Sequence, residues 1–207
     1  MIRIVFTGSE STGKSTLAAA VAQHYGVEVV PEFVRAFAEQ RGDVIEFSDH
    51  GPIARGQMAL EDEYIARATR MAEAPPAPPS LAPPSTRASA RPRRSAFGAE
   101  AGLVVQDTDL LSTVVYCQHY FGRCPEWIEE AARARRPDLY LLCGTDAPWI
   151  ADGVRDRGHM REEMQELFSA AVAASQAASA SISGAPDVRL ARAIDIIDQL
   201  MNTQSRS

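Results

Sequence analysis

A chain of 207 residues, 45% hydrophobic and 23% charged, can close one full hydrophobic core and has the composition of a globular protein, which excludes a disordered or membrane-embedded one. Its net charge of −6 and pI near 5.3 exclude a whole-domain basic field that would draw it to nucleic acid or an acidic bilayer, so any anion must be held by a local site. No apolar run approaches the roughly 20 residues of a membrane span.

The N-terminus lacks the charged and then apolar pattern of a cleavable signal, and the three cysteines (Cys117, Cys124, Cys143) form no CxxC pair. Both features lead to the expectation of a reducing cytoplasm, and with the acidic balance no membrane or nucleic-acid partner is expected. The four histidines make no HExxH or close pair, so no protein-ligated transition metal is expected.

In chain order, Ile2 to Thr7 is a short β-branched apolar run that predicts a buried strand, and a helix follows from Ser15 to about Tyr25, with Gly26 placed to stop it. Val27 to Val30 reads as a second buried strand, after which Pro31, Glu32 and Phe33 open a segment of helical spacing through Ala38. Ile53, Leu60, Tyr64, Ala68 and Met71 recur on one face and predict an amphipathic helix over 53–72. Residues 74–99 hold seven of the 13 prolines and almost no large apolar side chains, so they are expected to be a disordered insertion.

Gly102 to Gln106 predicts a third buried strand that delivers Asp107 and Asp109 at its carboxyl end, followed by the helix-like run DLLSTVVYCQHYFG. Trp127 to Arg135 predicts a further helix, and Asp138 to Cys143 a fourth buried strand. A polar loop leads to a helix near Met160, a very short strand near Ser181 to Ser183, and a last helix from about Val188 to Met201. Strands apolar on both faces, alternating with helices, indicate a parallel sheet covered on both sides, in one domain over 1–207.

Residues 8–15, GSESTGKS, match GxxxxGK[ST] between a predicted strand and a predicted helix. The glycines let backbone N–H groups curl around phosphate oxygens, and the helix N-terminus adds partial positive charge. Lys14 is the sole lysine among 21 basic lysine and arginine residues. It is expected to reach the β and γ phosphates of ATP, while the Ser15 hydroxyl joins the shell of Mg²⁺. Gly8, Ser11, Thr12, Gly13, Lys14, Ser15 and Thr16 thus form the expected nucleotide cradle.

Asp107, at a strand end, is expected to hold Mg²⁺ through water. Asp109 is either a substrate contact or the start of the next helix. Glu32 and Arg35 directly follow the second strand, at the sheet edge where α/β folds bind ligands, and suit an acceptor hydroxyl: a carboxylate to take its proton, an arginine to fix the substrate. Arg155, Arg157 and Arg161 lie in the loop after the fourth strand. Of these, Arg155 and Arg161 are expected to close over transferring phosphates, and Trp149 either stacks on a substrate ring or packs the loop base.

GSESTGKSTL, PEFVR, QDTDLL, YFGRCPEW, DLYLLC and DAPWIADGVRDRG, in that order, resemble the nicotinamide riboside kinase domain of the NadR family. The resemblance implies a P-loop nucleotide-kinase-like three-layer α/β sandwich with a five-stranded parallel sheet and a lid over 144–161. It implies transfer of the ATP γ-phosphate, with Mg²⁺, to the 5′-hydroxyl of nicotinamide riboside in NAD salvage. By position, Gly8 to Thr16 would cradle ATP, Asp107 would serve the metal, Glu32 and Arg35 would face the substrate, and Arg155 and Arg161 would be lid residues. Where family members can present an aromatic ring for the pyridine, this chain has Pro31, leaving Tyr64, Phe33 or Trp149 as stacking candidates. Larger members add an adenylyltransferase domain and sometimes a DNA-binding one, and neither is expected here. Two alternatives stay open: another nucleoside or nucleotide kinase on this fold, or a regulatory P-loop ATPase acting through partner binding.

Overall fold

The computed structural model describes residues 1–42, 44–73, 102–146 and 160–204. The proline-rich segment 74–99, Trp149, Arg155, Arg157 and most of the expected lid lie outside the described residues. Five strands are present: β1 (Ile2–Thr7), β2 (Val29–Val30), β3 (Leu103–Asp107), β4 (Leu139–Cys143) and β5 (Ala178–Ile182). The helices among the described residues are α1 (Lys14–Tyr25), α2 (Phe33–Arg41), α3 (His50–Glu73), α4 (Leu110–Phe121), α5 (Glu126–Ala134), α6 (Arg161–Ala174) and α7 (Pro186–Gln204).

All strand pairs are parallel, in the order β2-β3-β1-β4-β5, as expected for strands that are apolar on both faces. Alternate residues of β1 serve opposite faces. Ile2, Ile4 and Phe6 pack with α1 and α7 through Leu17, Val21, Ile197 and Met201. Val5 joins Tyr140, Leu111 and Val172 on the other face, toward α4 and α6. Burying each of Ile4, Phe6, Leu141, Ile182 and Ile197, all fully inaccessible, stabilises the fold by about 1.5–3 kcal/mol relative to exposure. The result is the three-layer, nucleotide-kinase-like α/β sandwich with a five-stranded parallel sheet.

β5 is longer than expected and begins three residues earlier. Its sequence ASASI carries one large apolar side chain, Ile182, and its other positions are exposed or half-buried at the sheet edge. Backbone pairing with β4 makes this strand, and hydrophobic periodicity cannot report such pairing. α3 begins at His50 because Pro52 is tolerated in a helix's first turn, where N–H groups have no intrahelical acceptor. The register β1 to β3 sets Phe6 beside Asp107, and β1 to β4 sets Thr7 beside Leu142, so the chain segments leaving these strands converge at one edge.

Candidate active site

The loop after β1 is shaped by backbone that side chains would obstruct. Gly8 has φ 128°, and a Cβ there would lie 2.8 Å from the Cys143 carbonyl oxygen. Ser11 (φ 54°) and Gly13 (φ 77°) also take left-handed conformations and turn the chain into α1. Thr12 Oγ1 donates to the Ser9 carbonyl at 2.9 Å. Lys14, only 8% exposed, donates from Nζ to the carbonyls of Gly8 (2.9 Å) and Ser9 (2.6 Å). Its ammonium therefore stays inside the loop, beside the amides at the start of α1, a natural seat for a phosphate.

Ser11 to Leu17 line a cavity of about 840 Å³ that reaches Arg35 on one side and Asp146, Gly184 and Leu190 on the other. The loop and the expected acceptor arginine thus share one opening. Glu32 is the N-cap of α2, its side chain 14% exposed, and Arg35 Nη2 stands 3.5 Å from its Oε2. An ion pair with so exposed an arginine contributes little stability.

Three side chains from distant segments brace the phosphate loop. Gln165 accepts from the Ser9 N–H at 2.9 Å and donates to the Cys143 carbonyl at 3.0 Å. Arg161, the first residue of α6, donates to the Ser11 carbonyl at 3.0 Å, so the structure seats this expected lid arginine against the loop backbone. Burial and, next, the nearby Arg189 hold its guanidinium below its ordinary pKa. Arg189, 5% exposed, donates to the carbonyls of Thr12 (2.6 Å), Gly144 (2.9 Å) and Gly184 (3.1 Å) and pairs with Asp146 at 2.5 Å. Sequence reasoning missed Gln165 and Arg189. One signal existed for Arg189: a cation near the start of a helix opposes the helix dipole and calls for a reason.

Asp107 ends β3 at 8% exposure, and Thr108 follows with φ 69°, its N–H donating to the Phe6 carbonyl at 3.0 Å. A left-handed β-branched residue is strained, and strain of this kind collects at functional turns. Among the described residues no group of three His, Cys, Asp or Glu could hold a metal by itself. Mg²⁺ is commonly held by one or two carboxylates with phosphate oxygens and water. Ser15, exposed to the cavity, and Asp107 supply hard oxygen donors that fit it.

Asp109 was expected either to contact substrate or to start a helix, and the structure makes it the N-cap of α4. Its Oδ1 accepts from Leu111 N–H at 3.1 Å and its Oδ2 from the Tyr140 hydroxyl at 2.6 Å. Burial raises its carboxyl to about 7, against the lowering effect of Tyr140. The unfolded value is about 3.9, so between the two the folded state keeps a proton that the unfolded chain has released. Asp109 therefore favours the folded state in acid, and that contribution fades as pH rises through about 7. Asp109→Asn keeps a capping oxygen and does not titrate. Its melting temperature should change less than wild type's between about pH 5 and about pH 8. An unchanged difference would place the dependence on other groups.

Of the stacking candidates, Tyr64 lies at the opposite edge of the sheet, with Arg67 over its ring at 4.8 Å near Leu103, while Phe33 sits directly beside Glu32. No helix among the described residues is long and apolar enough to cross a membrane.

A glycine-rich loop between β1 and α1 of an all-parallel sheet, with an aspartate closing the neighbouring strand, defines a P-loop α/β protein of nucleotide-kinase-like fold. A family model described as an AAA domain matches residues 3–186, and the chain belongs to that family. It is 27% identical over 171 residues to the trifunctional NAD biosynthesis/regulator protein NadR of Escherichia coli strain K12, a match covering 80% of this chain and 34% of that protein. Its identity to the same-named protein of Salmonella typhimurium strain LT2 is 24% over 208 residues, covering 97% and 43%. The chain thus spans less than half the length of these relatives.

Among solved structures, the NadR protein in complex with NR superimposes with a TM-score of 0.67 at 21% identity, over 97% of this chain and 52% of that one. The NadR protein in complex with NAD and AMP-PNP gives 0.62 at 20%, over 96% and 49%. The resemblance to NadR read from the motifs holds in both comparisons, and the superpositions support the shared fold.

Proposed function

We propose that the protein is an ATP-dependent small-molecule kinase that phosphorylates nicotinamide riboside on its 5′-hydroxyl. The observation that carries this reading is the convergence of the Lys14 loop and Arg35, ion-paired with Glu32, on one cavity. Nucleotide binding is supported by the loop geometry and by the AMP-PNP complex of a protein that shares the fold. The riboside is supported by the NadR relatives and by the NR complex.

In the proposed reaction, the acceptor hydroxyl oxygen bonds to the γ-phosphorus, the bond from that phosphorus to the β,γ-bridging oxygen breaks, and ADP leaves with the electron pair. The hydroxyl proton passes to the Glu32 carboxylate, which Arg35 orients. Lys14 and the amides of Gly8 to Thr16 stabilise charge on the transferring group. Arg161 fixes the loop at Ser11, and Arg155 belongs to the segment proposed to close over the phosphates. Mg²⁺, held by Ser15 and Asp107, would supply charge neutralisation at the phosphate oxygens. Catalysis in this scheme is positioning and electrostatics.

An ATP-consumption assay against a panel of nucleosides including nicotinamide riboside, with products identified by mass, tests the reading. Turnover should rise sharply with the riboside. Acceleration by another nucleoside alone would move the substrate, and no acceleration by any would remove the kinase. Glu32→Gln should lower acceptor-dependent kcat about 10²–10⁴-fold while the Kd for Mg·ATP stays near wild type.

A further inference from the structure

Two adjacent residues of α3 hold the residue that follows Glu32. The first amide of α2, the Phe33 N–H, donates to Gln57 Oε1 at 2.9 Å, and Gln57 is 3% exposed. The Phe33 ring lies directly over Gly56, where an added Cβ would come within 2.2 Å of two ring carbons. Glycine is among the poorest residues for a helix interior, and Gly56 stands seven residues into a 24-residue helix. The ring accounts for it, since alanine would push Phe33 away. Phe37 flanks the same ring, with the two ring centroids 6.3 Å apart.

Gln57 belongs to the buried face of α3 that also carries Ile53, Ala54 and, one turn on, Glu61, which Arg135 holds at 2.9 Å. The amide acceptor is therefore anchored in the core. Backbone and side chain of Phe33 are both held against α3, and the N-cap Glu32 immediately precedes them in the chain.

We propose that Gly56 and Gln57 are positioning residues for Glu32, locking the start of α2 onto α3 so that the carboxylate meets the acceptor hydroxyl. The proposal rests on the reading of Glu32 as proton acceptor and adds the device that aims it. Misplacing a reacting group by about 1 Å can cost about 100-fold in rate, so a displaced ring has a kinetic signature separate from stability.

The test compares wild type, Gly56→Ala, Gly56→Ala with Phe33→Leu, and Gln57→Leu by steady-state kinetics with the riboside, calorimetric titration of Mg·ATP and thermal melting. Gly56→Ala should lose about 10–100-fold in acceptor-dependent kcat, with the Kd for Mg·ATP within about twofold of wild type. Leucine lacks the Cε1 and Cζ atoms that the new methyl would meet first, so the double variant should regain most of the loss. Gln57→Leu, which leaves the ring seat intact, should show the same split between kcat and nucleotide affinity. An active wild type with equally active Gly56→Ala and Gln57→Leu overturns the positioning alone, as does a loss of ATP binding in step with kcat. A wild type without acceptor-dependent turnover overturns the kinase reading and this proposal with it.

Discussion

Replacing Lys14 by arginine is expected to leave the protein folded, with a far-ultraviolet spectrum like wild type's, while ATP-dependent turnover falls about 100-fold or more, equivalent to about 2.7 kcal/mol of lost transition-state stabilisation. The structure explains why the charge alone is insufficient. Lys14 extends within its own loop, and Nζ lies 2.6 Å from one carbonyl oxygen and 2.9 Å from another. Gly8 holds the loop backbone close against the end of β4, where even a methyl group would meet the Cys143 carbonyl at 2.8 Å.

A planar guanidinium is broader than an ammonium and donates along fixed directions, so it must leave the loop or spread it. An ammonium on a four-carbon stem can instead exchange carbonyl partners for phosphate oxygens and follow the phosphoryl group as it moves. Single-turnover kinetics with the acceptor, alongside a melting curve, separate the two effects. A folded Lys14→Arg protein with near-wild-type turnover would remove Lys14 from the centre of the mechanism.

The phosphate loop was legible in the sequence because its physical demands fall within eight consecutive residues: small residues where backbone crowds backbone, then one lysine at a helix start. The placement of Glu32 and Arg35 was legible too, since parallel topology sends every segment that follows a strand to the same edge. What stayed hidden depends on contacts distant in sequence. Gln165 is separated from Ser9 by 156 positions and Arg189 from Thr12 by 177, and each bonds to backbone that any sequence would provide.

Conformation hid other features. Thr108 looks like an ordinary strand-end residue in the sequence, yet it turns left-handed directly after Asp107. For Asp109 the sequence offered a substrate role or a helix start, and its hydrogen bond from Tyr140, 31 residues away on β4, could not be read from the local sequence. The edge strand β5, made of alanine and serine, lacks the hydrophobic signal by which strands are read.

Arg189→Met should be the most destabilising change near the site. The guanidinium is 5% exposed and satisfies three carbonyl oxygens and one carboxylate drawn from the phosphate loop and from the segments after β4 and β5. Methionine fills similar volume but donates nothing. Of the three carbonyls, that of Thr12 is buried, and leaving it without a donor costs about 1–3 kcal/mol, whereas those of half-buried Gly144 and exposed Gly184 can regain water. The pair with Asp146 weighs less, because that carboxylate is 39% exposed and regains water when released.

A net loss of about 2–3 kcal/mol corresponds to roughly 4–12 °C in Tm for a domain of this size. Arg189→Lys should recover only part of it, since one ammonium cannot span acceptors that a forked, planar group reaches together. Because Thr12 is one of the released carbonyls, Mg·ATP affinity should weaken in both variants even below the melting transition. Asp146→Asn, which spares the carbonyl contacts, should lose much less. A Tm for Arg189→Met within about 2 °C of wild type would show that water satisfies these carbonyls as well as the arginine does, and the phosphate loop would then need no brace from α7.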